Sequence, residues 1–221
     1  MATHPPSFFR RNGLSLVLLA LLVVFLAAQA YTGWLQHNDD LAEVGRAPLP
    51  FWGYLHGPHF LSATFENWES EFLQMGMYVL LTVGLRQKGS SESKTLDGKE
   101  EVDRQPKPHA GAPWPVQRGG WVLVLYRNSL SLAFFALFLL SFWLHLRGSY
   151  GTYVEEERAR GLDPGPISSY LVDHRFWFES FQNWQSEFMA VAAIVVLSIW
   201  LRQWGSPESK PVDAPHSATG K

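Results

Sequence analysis

The sequence contains no cysteine among its 221 residues. Disulfide bonds, thiolate metal sites and cysteine nucleophiles are therefore excluded together. The chain also lacks a strong charge of either sign, since 18 Lys and Arg residues stand against 20 Asp and Glu residues. Such a balance gives no overall attraction to nucleic acid, and we expect no nucleic-acid partner.

Catalytic signatures are missing as well. The sequence has no glycine-rich nucleotide loop, no zinc-hydrolase helix and no nucleophile elbow. Because nothing positive supports an enzyme, we predict a non-enzymatic protein that uses no cofactor.

Apolar residues are concentrated in long runs. Residues 14–30, LSLVLLALLVVFLAAQA, carry no charge over 17 positions, and with residues 31–35 the run reaches the length that crosses about 30 Å of hydrocarbon. Arg10-Arg11 and the Ala28-Gln29-Ala30 end also resemble a cleavable secretory signal, so two interpretations are open. A similar run at residues 129–146, deep in the chain, favours a retained helix.

Two further apolar runs, 72–85 and 188–201, have only 14 residues each and are too short to cross a bilayer alone. Extending them upstream to Phe65 and Phe181 gives roughly 21 residues per helix. The sequence thus predicts four membrane-spanning helices, at about 12–34, 65–86, 128–148 and 181–202.

The chain matches itself at a shift of 116 positions. Residues 11–94 align with residues 127–210 without a gap, with 29 identities in 84 pairs. This indicates a tandem duplication of a two-helix unit. Each copy crosses the membrane twice, so the copies share one orientation. The predicted fold is all-α, a membrane-spanning four-helix bundle made of two tandem repeats in parallel orientation.

The repeat divides the chain into four segments. Residues 1–94 form the first two-helix repeat and residues 121–210 the second. Residues 95–120 are rich in Ser, Lys, Glu, Pro and Gly and predict a disordered cytoplasmic linker. Residues 211–221 predict a disordered tail.

Basic residues near the helix ends predict the orientation. Nine lie on the side of the linker and five on the opposite side, which puts both termini in the cytoplasm. The aromatic ends of the outer loops, residues 51–60 and 169–178, are expected to lie in the outer membrane interface. Trp68 and Trp184 are expected to act as interfacial anchors.

The strings NWESEF and NWQSEF place polar residues in the outer part of the two shorter spans. One helix face keeps its chemistry in both copies, whereas Glu66 and Glu69 lie on another face and become glutamine in the second copy. We predict that the retained face is directed into the bundle, and we expect His145 to pair with Glu187. The predicted polar layer consists of Gln29, Asn67, Ser70, Glu71, His145, Asn183, Ser186 and Glu187.

This polar layer has two interpretations. A carboxylate at that depth costs a few kcal/mol unless it is protonated, paired or hydrated, so the layer could be a proton or cation relay. The preferred interpretation is structural, with Asn, Ser and Glu side chains joining the helices by hydrogen bonds.

Two weaker patterns remain. His56 and His59, with His37 and His174, could collect a metal, but the second copy lacks the first two histidines, and we predict no metal site. The retained strings RQKGSSESK and RQWGSPESK carry basic residues that are typical of the inner membrane interface, and their tails could also dock a cytoplasmic partner.

The strings RNGLSL, ENWESEF and LRQKGSSESK, repeated as RNSLSL, QNWQSEF and LRQWGSPESKPV, resemble an uncharacterised family of bacterial integral membrane proteins, classed as a domain of unknown function. The resemblance covers residues 10–212 and implies a bacterial cytoplasmic (inner) membrane location. It carries over no activity, ligand or catalytic residue.

We therefore expect a multi-pass membrane protein with a structural or accessory role. Its partners are the lipid bilayer and either a second copy or another membrane protein. The alternative is a small proton-coupled transporter or cation channel that uses the carboxylate layer.

Overall fold

The computed structural model describes residues 7–220, and every regular element in that range is helical. The helices are α1 Phe8–Glu43, α2 Phe51–Leu55, α3 Pro58–Gly84, α4 Trp114–Arg118, α5 Gly120–Arg127, α6 Ser129–Ala159, α7 Ile167–Tyr170 and α8 His174–Leu197. A single 3-10 turn at Glu101–Asp103 lies between α3 and α4. The all-α prediction is confirmed for the described part of the chain.

Among the described residues, two helices are long and apolar enough to cross a membrane, α1 and α6. They cover the predicted spans at about 12–34 and 128–148 and continue past them, to Glu43 and Ala159. The predicted spans at about 65–86 and 181–202 fall mainly on α3 and α8, which are not among the candidates. Their first halves carry Glu, Asn and Gln residues that lower their hydropathy. Four spans therefore stay a prediction.

Helix boundaries recur at matching positions along the chain. Pairs of equivalent boundaries lie 116 positions apart: Glu43 and Ala159 end α1 and α6, Phe51 and Ile167 begin α2 and α7, and Pro58 and His174 begin α3 and α8. Helix boundaries thus recur at the same 116-position spacing as the matching sequence strings, even where the loop sequences differ.

The chain forms two compact units. The first comprises the chain up to Ala63 together with Arg147–Pro164, and the second comprises Thr64–Leu146 and the chain from Gly165 onward. In the first unit, α6 passes so close to the start of α3 that a Cβ on Gly148 would overlap the backbone of Ser62. Only glycine allows this approach.

In the second unit, the chain forms the same loop after α3 and after α8. Arg86 and Arg202 each donate from one guanidinium nitrogen to the carbonyl oxygens of the residues one, three and four positions earlier. Carbonyl groups at a helix end have no partner within the helix. Each arginine therefore closes the end of a helical segment.

The remaining residues of the two RQ-x-GS-x-ESK strings stabilise these loops internally. The N–H groups of Gln87 and Gln203 donate to the hydroxyls of Ser93 and Ser209 at 2.9 and 3.0 Å. Gly89 and the equivalent glycine of the second loop have φ values of +87° and +78°, a region that favours glycine. The strings are thus retained because they encode a loop that ends a helix.

Lys210 joins the two loops and the tail that follows. Its buried ammonium shares its three N–H donors among four backbone carbonyls, those of Gly89, Ile199, His216 and Ala218. Burial lowers the pKa of Lys210, and the nearby Arg202 lowers it further. The equivalent lysine, Lys94, instead makes a 2.6 Å ion pair with Asp103 in the predicted linker segment.

The tail after Lys210 makes hydrogen bonds with the loop that follows α3. Thr219 accepts a hydrogen bond from the N–H of Gly89 at 2.8 Å, and the N–H of Gly220 donates to the carbonyl of Ser90 at 3.0 Å. These contacts lie around Lys210, because a lysine ammonium can bring several carbonyls of a polar segment to one point.

We predict that Lys210→Met releases this tail. The substitution removes the shared donor of four carbonyls, and each buried carbonyl left without a partner costs about 1–3 kcal/mol. Limited proteolysis followed by mass spectrometry should show earlier cleavage within residues 211–220 than in the wild type. Lys94→Met is the matched control, since it removes only a partly exposed ion pair. Equal cleavage of all three proteins would contradict the role given to Lys210.

Candidate functional site

A group of charged and polar side chains surrounds His145 in the second unit. His145 lies on α6, is fully buried, and its ring packs against that of Phe176 at 5.0 Å between centroids. Its Nδ1 lies 3.1 Å from Oε2 of Glu69, and its Nε2 lies 3.6 Å from Oε2 of Glu179. The imidazole therefore lies between two carboxylates that belong to different helices.

Each carboxylate has a second contact on its other oxygen. Oε1 of Glu69 accepts a hydrogen bond from the indole N–H of Trp184 at 3.1 Å. Oε1 of Glu179 accepts from Nε of Arg175 at 3.3 Å.

A third carboxylate, Glu66, lies in the same group. Its Oε1 accepts a hydrogen bond from the amide of Asn183, which also donates to the backbone carbonyl of Glu179 at 3.2 Å. We name this group the His145 cluster; it consists of Glu66, Glu69, His145, Arg175, Glu179, Asn183 and Trp184.

Helical spacing explains how three elements bring these residues together. Glu66 and Glu69 are three positions apart on α3, and Arg175, Glu179 and Asn183 are four positions apart on α8, so each set shares one helix face. The first turn of α8 is fixed by Asp173, whose carboxylate accepts from the backbone N–H of Arg175 at 2.8 Å.

The predicted polar layer is only partly brought together. Within it, Ser70 and His145 are buried, Gln29, Asn183, Ser186 and Glu187 are half-buried, and Asn67 and Glu71 are exposed. The hydroxyls of Ser70 and Ser186 donate to carbonyls three positions earlier on their own helices, at 2.7 and 2.8 Å.

The structure differs from the predicted pairing of His145 with Glu187. His145 contacts Glu69 and Glu179 instead. The cause is the rotation of α3, which buries Glu69 and exposes Glu71, whereas the sequence analysis turned the Glu71 face inward. Residues two positions apart on a helix point in nearly opposite directions, so this choice of face decides the site.

Sequence reasoning missed four charged residues of the cluster, Glu66, Glu69, Arg175 and Glu179. In the sequence, these residues are marked by differences between the two halves of the chain. Glu66 and Glu69 correspond to glutamines 116 positions later, and Glu179 corresponds to Ala63. The charged residues of the cluster thus occupy positions at which the repeat is not retained.

The two predicted tryptophan anchors have different surroundings. Trp184 belongs to the His145 cluster through its indole N–H. Trp68 packs against Phe65 and Phe72, with ring centroids 5.3 and 6.5 Å apart. Anchoring at the interface stays a prediction for both.

A second polar group lies in the first unit. The hydroxyl of Tyr54 lies 3.1 Å from Nδ1 of His59, and the rings of His37 and His59 pack 4.9 Å apart. Burial and the nearby His37 lower the pKa of His59. His56 and His174 are exposed. Within residues 7–220, no group of three or more His, Asp or Glu residues has an arrangement that could hold a metal ion.

Chemically, the His145 cluster can bind and exchange protons. It combines three carboxylates, an imidazole and a guanidinium, which direct contacts and the amide of Asn183 link into one group. Coupled groups of this kind share protons as a unit rather than one at a time.

All-helical architecture, with two helices long and apolar enough to cross a membrane, defines the class of this protein. Within that class the chain belongs to the family described as "Domain of unknown function (DUF6766)", whose family model matches residues 5–221. Neither a curated protein nor a solved structure matches the chain.

We predict that Glu69→Gln destabilises the second unit. The substitution removes a fully buried charge that contacts His145, and breaking one partner of a buried ion pair typically costs about 3–5 kcal/mol. Thermal unfolding in detergent, followed by circular dichroism, measures the effect. Glu71→Gln changes an exposed carboxylate two positions away and should unfold within a degree or two of the wild type. Equal destabilisation by both substitutions would contradict the burial of Glu69.

Proposed function

We propose that the chain is a non-enzymatic, multi-pass membrane protein with a structural or accessory role in a bacterial cytoplasmic membrane. The observation that carries this proposal is the apolar surface of α6. Only 22% of its most apolar 18-residue window is buried, whereas the core helix of a soluble protein would be mostly covered. The helix lies too deep in the chain to be a signal sequence. Because neither a soluble core helix nor a signal sequence fits α6, we propose that lipid surrounds its apolar surface.

The proposed topology has four spans. α1 and α6 cross the bilayer, and α3 and α8, at 27 and 24 residues, are also long enough to cross it. The basic residues favour cytoplasmic termini, with the segments between α1 and α3 and between α6 and α8 outside. The matching loops after α3 and α8 then share the cytoplasmic side, in agreement with two copies of one orientation.

A structural role is supported by the contacts that the polar groups of the His145 cluster make between helices. His145 on α6 contacts Glu69 on α3 and Glu179 on α8, and Trp184 and Asn183 add hydrogen bonds between α8 and α3. Such contacts join helices that have no hydrophobic drive to associate in lipid. The partners expected for this protein are the bilayer and either a second copy or another membrane protein.

Single-cysteine labelling tests the topology, because the chain has no cysteine of its own. Four exposed aliphatic residues are suited to replacement by cysteine: Val44, Val102, Leu162 and Val212. In intact cells, a membrane-impermeant maleimide should label V44C and L162C, and it should label V102C and V212C only after permeabilisation. If V44C and V102C are labelled from the same side, α3 does not cross the membrane and the four-span proposal fails.

A second candidate function is proton-coupled transport. It is favoured by one observation, the fully buried carboxylate of Glu69 next to a fully buried histidine. Ionisable groups inside membrane helices commonly mark ion pathways.

Proton and cation flux into liposomes that contain the purified protein tests this candidate. Transport through the cluster predicts flux that is lost in Glu69→Gln and kept in Glu71→Gln and Glu187→Gln. A wild type without flux over a range of pH and imposed potential would leave the structural role as the proposal.

A further inference from the structure

Negative charge exceeds positive charge in the His145 cluster. Three carboxylates, Glu66, Glu69 and Glu179, lie among two groups that can be cationic, His145 and Arg175. These five side chains belong to α3, α6 and α8, and the buried, titratable Tyr170 of α7 packs against Phe176, whose ring lies against that of His145. With His145 protonated, the five charged groups together carry one net negative charge.

The positive charges are not shared evenly. Glu69 contacts His145 and also accepts from the indole of Trp184. Glu179 lies between His145 and Arg175. Glu66 receives a hydrogen bond from the neutral amide of Asn183. The uncompensated charge therefore falls on Glu66, where a partly buried carboxylate is held by an amide rather than by a cation.

Buried atoms of the cluster also lack hydrogen-bond partners. Among the described residues, Oε2 of Glu69, both ring nitrogens of His145 and Oγ of Ser180 are buried without one. The two ring nitrogens of His145 nonetheless lie 3.1 and 3.6 Å from carboxylate oxygens of Glu69 and Glu179. Ser180 is fully buried on α8, next to Glu179 and three positions before Asn183.

Buried polar atoms without such bonds are rare in protein interiors and require an explanation, and beside an excess of carboxylates they favour an additional positively charged species in the cluster. A metal ion does not fit, because the described residues offer no group of three ligands that could hold one. A proton fits, since it neutralises the uncompensated charge and converts a carboxylate oxygen into a donor.

We propose that the His145 cluster binds one exchangeable proton, carried by the carboxyl group of Glu66, while Glu69 and Glu179 hold the positive charges of His145 and Arg175. The proton enters at the N-terminal end of α8. There the side chains of Glu179 and Arg175 are 25% and 38% exposed and connect the buried imidazole with the surface. On uptake, Glu66 goes from carboxylate to carboxylic acid, and the cluster becomes neutral.

This proposal does not depend on transport or on the number of membrane spans. A site that is reached from one end takes up and returns protons on the same side. It would make the contact among α3, α6 and α8 responsive to pH without moving any ion across the membrane.

Infrared difference spectroscopy of the reconstituted full-length protein, between about pH 8 and pH 6, tests the proposal. An ordinary glutamic acid, with a pKa of about 4.3, stays ionised over this range. The wild type should gain a carboxylic-acid C=O band of about one group per chain at the lower pH, and the band should shift in D₂O. Glu66→Gln should remove the band.

Glu71→Gln is the matched control and should keep the band, because Glu71 is an exposed carboxylate of the same helix. A wild type without the band would overturn the proposal even if the Glu66 variant failed to fold. A wild-type band that persists in Glu66→Gln would place the proton on another group and overturn it as well. Neither result affects the labelling or flux experiments, which test membrane topology and transport separately.

Discussion

Burying the carboxylate of Glu69 is the most demanding requirement of this fold. A charge removed from water is tolerated only where partners surround it, and here those partners come from two other helices, as His145 on α6 and Trp184 on α8. The requirement fixes the rotation of α3, because turning Glu69 inward turns Glu71 outward. It also fixes the face of α8, since Trp184 and Asn183 must lie beside α3. The packing of the second unit follows from satisfying one charge.

The sequence was sufficient to predict the two most apolar helices, because an uninterrupted apolar run of that length is typical of a helix. The spans at about 12–34 and 128–148 correspond to α1 and α6, and the all-α class is confirmed for residues 7–220. Helix rotation was harder. Glu69 and Glu71 differ by about 200° around a helix axis, and both lie in one polar string, so hydrophobic periodicity cannot separate them. Likewise, no local pattern shows that Lys210 will meet four distant carbonyls, since those contacts arise only after the loops fold.

Comparison of the two halves of the chain separates residues that build the scaffold from residues that build the cluster. Retained residues such as Arg86 and Arg202 end helices and form the same loop twice. The acidic residues and histidine of the cluster occupy positions that differ between the halves, with Glu69 replaced by Gln185 and His145 by Gln29. The charged cluster is therefore built from positions at which the two halves of the sequence differ. The two halves contribute complementary charges to it, from α3 on one side and from α6 and α8 on the other.

The bonds that Lys210 makes also set an order of events in synthesis. The loop after α3 leaves the ribosome long before the residues that bond to Gly89 and Ser90 are translated. During that interval the loop keeps its own serine and arginine hydrogen bonds but lacks the ammonium and the tail that cover it. These contacts can therefore form only after residues 210–220 have been translated, and until then the loop after α3 is exposed on the nascent chain.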